Sequence, residues 1–197
     1  VTPVYVVGGL LLLIALLIVA SYNRFVHEGQ LIDNSWSNVD TELRRRYDLI
    51  PNLVQTVQGY AAHERRTLEA VTAARSRAMG SVGNAAEQSG DENVLVGALR
   101  SLLAVSEAYP DLLANAHFTD LQHELVTTEN RIQAARRIFN ANVRDYNTRV
   151  QTVPSNLVAR LFGFALRSYF EIDTVVRESG PPRVDPAPTK AGSVPRS

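Results

Sequence analysis

Residues 42–60 read ELRRRYDLIPNLVQTVQGY. Three adjacent arginines run into an apolar pattern with a proline at its centre. The stretch is open to three readings: a basic patch, a break between two helices, or one helix carrying a flaw. Spacing discriminates among them. Trp36, Val39, Leu43, Arg46, Ile50, Leu53, Val57 and Tyr60 alternate steps of three and four, and all but Arg46 are apolar. Tyr47, Val54 and Ala61 widen the stripe. This is a heptad seam of the coiled-coil kind, which packs helices at shallow angles. It stays in phase across Pro51, which favours one helix bent at the proline. The cost is the helical bond to the Tyr47 carbonyl, ~3 kcal/mol or more in a regular helix. The competing reading makes Asp48 an N-cap and puts Pro51 in the first turn of a new helix, where it is tolerated.

The arginines do not act as a block. Adjacent helical residues point in different directions, so a solvated face is favoured over contact with lipid or nucleic acid. Arg46 differs because it takes a seam position. There its stem packs while its guanidinium snorkels or pairs with an acid on another helix.

Working outward, Gly59 and the following AAHE predict a tight reversal. A second helix follows over about 63–79, with Leu68, Val71 and Ala78. MGSVGNAAEQSGDE, residues 79–92, is rich in glycine and small polar residues and predicts a loop. A third helix over about 93–108 carries Leu95, Leu99, Leu102 and Tyr109 and stops at Pro110. The fourth is long. Phe118, Leu121, Leu125, Thr128, Ile132, Ala135, Phe139, Asn142, Tyr146, Arg149 and Val153 again alternate three and four, and Pro154 ends it. Thr119 with Gln122 fits a capping box near its start. Polar groups in these seams, Arg46, Thr128, Asn142 and Arg149, are candidates for fixing register or subunit number.

Residues 1–23 carry no charge, and Arg24 is the first ionised group. As a helix they reach about 35 Å at ~1.5 Å each, enough for a hydrocarbon core of roughly 30 Å. With no basic residue before the apolar run, this segment is expected to be an uncleaved transmembrane signal-anchor, a cleaved signal ending at IVA-SYN being the alternative. Arg24 and, farther off, Arg44 to Arg46 place positive charge on the C-terminal side. That favours an outward N-terminus and a cytoplasmic soluble domain. At the other end, residues 179–197 hold five prolines and no apolar period, which predicts a disordered tail.

The expected architecture is therefore all-α. A transmembrane helix (1–23) leads into an antiparallel up-and-down four-helix bundle of long helices (24–153), then a short amphipathic C-terminal helix in segment 154–178 and the tail. If the fourth helix returns toward the bilayer, residues 155–172 close the bundle end, lie at the interface or contact another subunit. Phe162 and Phe164 with Arg160 and Arg167 suit such places.

The chemistry searched for is sparse. Twenty basic and twenty acidic side chains give no basic excess for nucleic acid, and no cysteine is present. HERRT at 63 and HELVT at 123 lack the second histidine of a zinc-protease helix. His117 and His123 are expected on the surface. No phosphate-cradling or nucleophile-elbow motif occurs, and Lys190 is the only lysine. No catalytic, cofactor-binding or metal-binding residue is assigned.

SYNRF, RRRYDLIPNLVQTVQGYAAHE, LLAVSEAYPDLLAN and TENRIQAARRIFNANVRDYNTRVQTVPSNLVARLFGF, together with the apolar anchor, resemble the LemA family of bacterial membrane proteins. They cover most of residues 4–172 in order. The resemblance implies an anchor followed by an antiparallel four-helix bundle, and supplies no reaction. Tyr47, Asp48, Pro51, Asn52, Asn130, Tyr146, Asn147 and Pro154 match the family pattern and are either architectural or interacting residues. The expected function is a non-enzymatic scaffold of the bacterial inner membrane, single-pass and self-associating, with the lipid bilayer as partner. The alternative is an adaptor presenting a helical groove to a membrane partner such as a quality-control protease.

Overall fold

The computed structural model describes residues 2–81, 84–173 and 175. Helix α1 runs unbroken over Thr2–Tyr60, followed by α2 (Arg65–Gly80), α3 (Ala85–Ser106), the single turn α4 (Pro110–Leu113), α5 (Ala116–Gln151) and α6 (Ser155–Phe162). Among the described residues there is no strand. The bundle is formed by α1, α2, α3 and α5, as the periodicity requires. The tail expected over 179–197 lies outside the described residues.

Helix α1 continues without interruption through Pro51, so the reading with Asp48 as an N-cap does not hold; Asp48 is exposed in mid-helix. Val39, Leu43, Arg46, Ile50, Leu53 and Val57 are all buried. The carbonyl that Pro51 leaves without a donor is served from outside: Arg75 Nε on α2 donates to Tyr47 O at 2.7 Å. A buried backbone oxygen is thus paired, as such groups almost always are. At the far end of the seam Tyr60 is exposed, and its hydroxyl accepts from Asn115 Nδ2 at 2.9 Å.

Two expectations about helix starts are corrected. Residues 85–92 are not a loop, because α3 begins at Ala85. The Asn84 side chain accepts from the Ala86 and Glu87 amides and donates to Glu87 Oε1, a reciprocal cap of the capping-box type. The first turns of α3 bury Gln88, Ser89 and Glu92, so its inner face is polar where an apolar stripe would have signalled a helix. At α5 the cap is Asn115, which accepts from Phe118 N at 3.0 Å, in place of Thr119 with Gln122.

The helices differ in reach. α5 has 36 residues, while α2 and α3 have 16 and 22. The short pair therefore covers the α1–α5 pair only over part of its length, from about Arg46 outward. Closer to the apolar end, a different element closes the core. A cis peptide bond joins Val153 to Pro154, and α6 follows. Gly163 at φ 75° stops α6 in the left-handed conformation that favours glycine, while the Phe164 amide donates back to Ala159 O. The segment expected to be an amphipathic helix is therefore helical only to Phe162. Beyond it the chain is an extended strap over 164–173, burying Phe170 and Ile172 and leaving Glu171 and Asp173 outside. That is the period of two of an extended chain.

Candidate functional site

Three constellations hold the polar and aromatic residues singled out by sequence. The first surrounds Arg46. Its guanidinium is fully buried between carboxylates from two other helices: one amino group donates to Glu129 on α5 at 3.0 Å, the other to Glu92 on α3. The Tyr47 hydroxyl donates to the other oxygen of Glu92, and Gln133 Nε2 donates to Glu129 at 3.4 Å. Arg46 Nε has no protein partner. Burial pushes the Tyr47 phenol well above its usual range, and the adjacent Glu92 carboxylate pushes it further. One cation here faces two acids with solvent excluded. Such a cluster is costly to desolvate and strongly destabilising to break.

The second constellation is the strap. Asn140 on α5 donates to Phe170 O and accepts from Phe170 N, both at 2.9 Å. Asn147 does the same for Arg167, at 2.8 and 2.9 Å. From the opposite side, Ser89 Oγ accepts from Glu171 N, and Asn93 takes the Glu171 carbonyl and the Asp173 amide. Arg136 donates to Ile172 O. Alternate peptide groups of an extended chain point to opposite edges. Here one edge is read by α5 and the other by α3, through side-chain amides in place of neighbouring strands. Trp36 closes the stack, 5.1 Å from Phe139 and 5.2 Å from Phe170 between ring centroids.

The third lies where the bundle meets the apolar part of α1. Tyr22 contacts Phe162 and Phe164, and Phe25 stacks on Phe164 at 4.7 Å and meets Tyr146 edge-on. Arg149 Nε bonds both Glu28 oxygens, at 2.9 and 2.8 Å, and Arg24 Nε reaches the same carboxylate at 3.2 Å. Outward from this cluster Leu157 and Leu161 on α6 are 62% and 70% exposed. The apolar face of α1 from Val4 to Leu17 is exposed as well.

Of the sequence candidates, Arg46 and Tyr47 meet in the first cluster, Asn147 anchors the strap, and Tyr146, Phe162 and Phe164 form the aromatic junction. Asn142 Nδ2 donates to Leu31 O at 3.3 Å. The polar seam residues thus include three cross-ties between α1 and α5: Arg46–Glu129, Asn142–Leu31 and Arg149–Glu28. Asp48, Pro51, Asn52, Asn130 and Pro154 are exposed and join none of these groups. Glu92, Glu129, Asn93, Asn140, Ser89 and Arg136 were missed. For four of them a signal was present as polar residues at i, i+4 spacing: Ser89 with Asn93, and Arg136 with Asn140. His117 and His123 are exposed.

A sequence model of the LemA family matches residues 35–185, a span taking in the first two constellations and, of the third, only the residues contributed by α5, α6 and the start of the strap. The chain belongs to the LemA family. It is 28% identical to magnetosome protein MamQ 1 of Paramagnetospirillum magneticum, over 76% of this chain and 64% of that protein. The same figures hold for magnetosome protein MamQ of Magnetospirillum gryphiswaldense. Protein LemA of Metamycoplasma hominis is 24% identical over 78% of this chain and 71% of its own length. The chain therefore spans just under two thirds of the length of the magnetosome relatives. Its N-terminal helix is long and apolar enough to cross a membrane, with none of the apolar window buried in the fold. A bare apolar sleeve on a helix whose other end builds a core marks a membrane-associated protein.

Proposed function

We propose that this LemA-family chain is a non-enzymatic scaffold, anchored by residues 1–23 and self-associating beside the bacterial inner membrane. The observation that carries this reading is the continuity of α1. One helix of 59 residues, about 90 Å at ~1.5 Å each, joins the apolar sleeve to the bundle without a linker. A bundle held so stiffly presents a fixed surface at a fixed height, which suits a spacer or assembly unit. The densest polar cluster, at Arg46, is closed to solvent and consumed by the fold.

The adaptor reading needs an open helical groove. The groove between α3 and α5 is filled by the chain's own strap, which favours the scaffold. The proposed orientation has the bundle in the cytoplasm. Folding supports it by bringing Arg149, Arg160 and Arg167 to the end of the bundle that holds Arg24, and positive charge beside a span favours the cytoplasmic side. Val54, Val143 and Val150 add apolar positions beside the seams; Val143 is spent in the core, and Val54 and Val150 are half-buried. Contacts between copies are therefore assigned to the apolar end. Light scattering of the full chain in mild detergent tests assembly: multiples of the 21.7 kDa chain mass are expected, and a monomer at all concentrations overturns self-association.

A further inference from the structure

The groove between the apolar part of α1 and α6 has a volume of about 730 Å³. Its walls include Leu17 and Ile18 from α1 and Leu157 and Leu161 from α6; its mouth is polar, with Ser21, Arg24 and Arg149. We propose that it is a binding site for one anionic phospholipid, with an acyl chain along the groove and the headgroup phosphate at Arg24 and Arg149. The proposal rests on the reading of residues 1–23 as a membrane anchor.

Depth, charge and size agree. From Ile14 to Arg24 the helix advances about 15 Å, half of a hydrocarbon core of roughly 30 Å, so the groove runs the depth of one leaflet. Its apolar floor is continuous with the exposed sleeve that faces acyl chains. At the mouth two guanidiniums share one carboxylate, Glu28, through contacts of 2.8 to 3.2 Å. The adjoining hollow holds Asp145, which has its own partner in Arg144 at 3.7 Å. The mouth thus keeps a net positive charge, complementary to a phosphate and placed where a headgroup sits. Side-chain stems of arginine lie along apolar surface while the charged ends reach that level. The volume falls within the ~300–1,000 Å³ usual for small-molecule sites.

The test uses the full chain in detergent, titrated with phosphatidylglycerol or phosphatidylcholine of identical acyl chains and read by native mass spectrometry. One phosphatidylglycerol per chain is expected, with at least a tenfold lower Kd than phosphatidylcholine. Arg24→Gln should erase that preference. Ala20→Trp, which fills the groove from its wall, should weaken both lipids about tenfold without lowering the melting temperature. Equal binding of the two lipids overturns the site, as does binding indifferent to Ala20→Trp. So does displacement of the lipid by soluble glycerol phosphate, or a dimer that Ala20→Trp abolishes, the mark of a second copy in the groove. Flotation of carbonate-washed proteoliposomes separates the two readings. A chain that floats but binds both lipids equally defeats only the lipid site, and a chain stripped by carbonate defeats the anchor and the site together.

Discussion

Above Arg46 the α1–α5 pair is closed by two further helices, and near Trp36 the same pair is closed by an extended strap. Both regions bury apolar side chains against α1, yet they satisfy polar groups differently. In the membrane-distal region the helices complete their own backbone bonds except at Pro51, where Arg75 serves the Tyr47 carbonyl, and the inner polar groups are charged side chains that need one another. In the membrane-proximal region the strap has no ladder partner, so its peptide groups depend on Asn140, Asn147, Asn93, Ser89 and Arg136. The first region is therefore sensitive to charge balance and the second to the loss of single amides. A one-residue slip would take Phe170 and Ile172 out of the core, and the asparagines prevent it by fixing register.

The largest expected effect breaks the distal region. Arg46→Leu leaves Glu92 and Glu129 buried without their cation and should cost about 3–5 kcal/mol, read by urea unfolding of the full chain in detergent. Adding Glu92→Leu and Glu129→Leu should recover most of that loss, since a buried ion group replaced by apolar residues is often neutral or better. A cost near zero for Arg46→Leu alone would mean that the carboxylates are not held charged by it.

The proximal region should respond next. Asn140→Ala removes two hydrogen bonds to Phe170 and strands a buried peptide group, about 1–3 kcal/mol. Hydrogen exchange should show faster exchange over 167–173 with α2 and α3 unchanged. If protection in α3 falls equally, the two regions are one cooperative unit and the contrast between them is lost.

The sequence was most legible where burial is apolar. The seams of α1 and α5 fixed the long pair, its phase across Pro51 and its return toward the apolar end. Legibility failed where burial is polar. The start of α3 resembles a loop in sequence because Gln88, Ser89 and Glu92 face inward, although Asn84 to Glu87 carry a capping signature. The strap follows a helical pattern whose only local stop is Gly163, and the alternation Phe170, Glu171, Ile172, Asp173 is too short to compete with it. Arg46 was recognised as out of pattern. Its acids could not be, since pairs 46 and 83 residues apart leave no local trace.

A smaller effect tests how Pro51 is accommodated. Arg75→Met should cost about 1–2 kcal/mol by leaving the Tyr47 carbonyl without its donor. In a Pro51→Ala background residue 51 regains its amide, so Arg75→Met should then cost markedly less. The coupling between the two substitutions, read by a double-mutant cycle, should be at least about 0.5 kcal/mol. Additivity would show that Arg75 acts through its packing on α2.

The smallest effect compares one tyrosine from each region. Burial raises the phenols of both Tyr47 and Tyr146, but Tyr47 also meets the negative charge of Glu92, whereas Tyr146 is partly offset by Arg167. A phenol whose folded pKa lies above its unfolded value of 10.0 contributes fully below that pH and loses stability as pH rises past it. At pH 10.5 this amounts to roughly 0.8 kcal/mol for a group that stays protonated in the fold. The stability gap between the wild-type chain and Tyr47→Phe should therefore narrow by about that much between pH 9 and 10.5. The gap for Tyr146→Phe should narrow no more than this at pH 10.5 and should level off at lower pH, since its phenol ionises within the fold sooner. If the Tyr146 gap keeps narrowing as far up in pH as the Tyr47 gap, Glu92 adds nothing to the field at Tyr47.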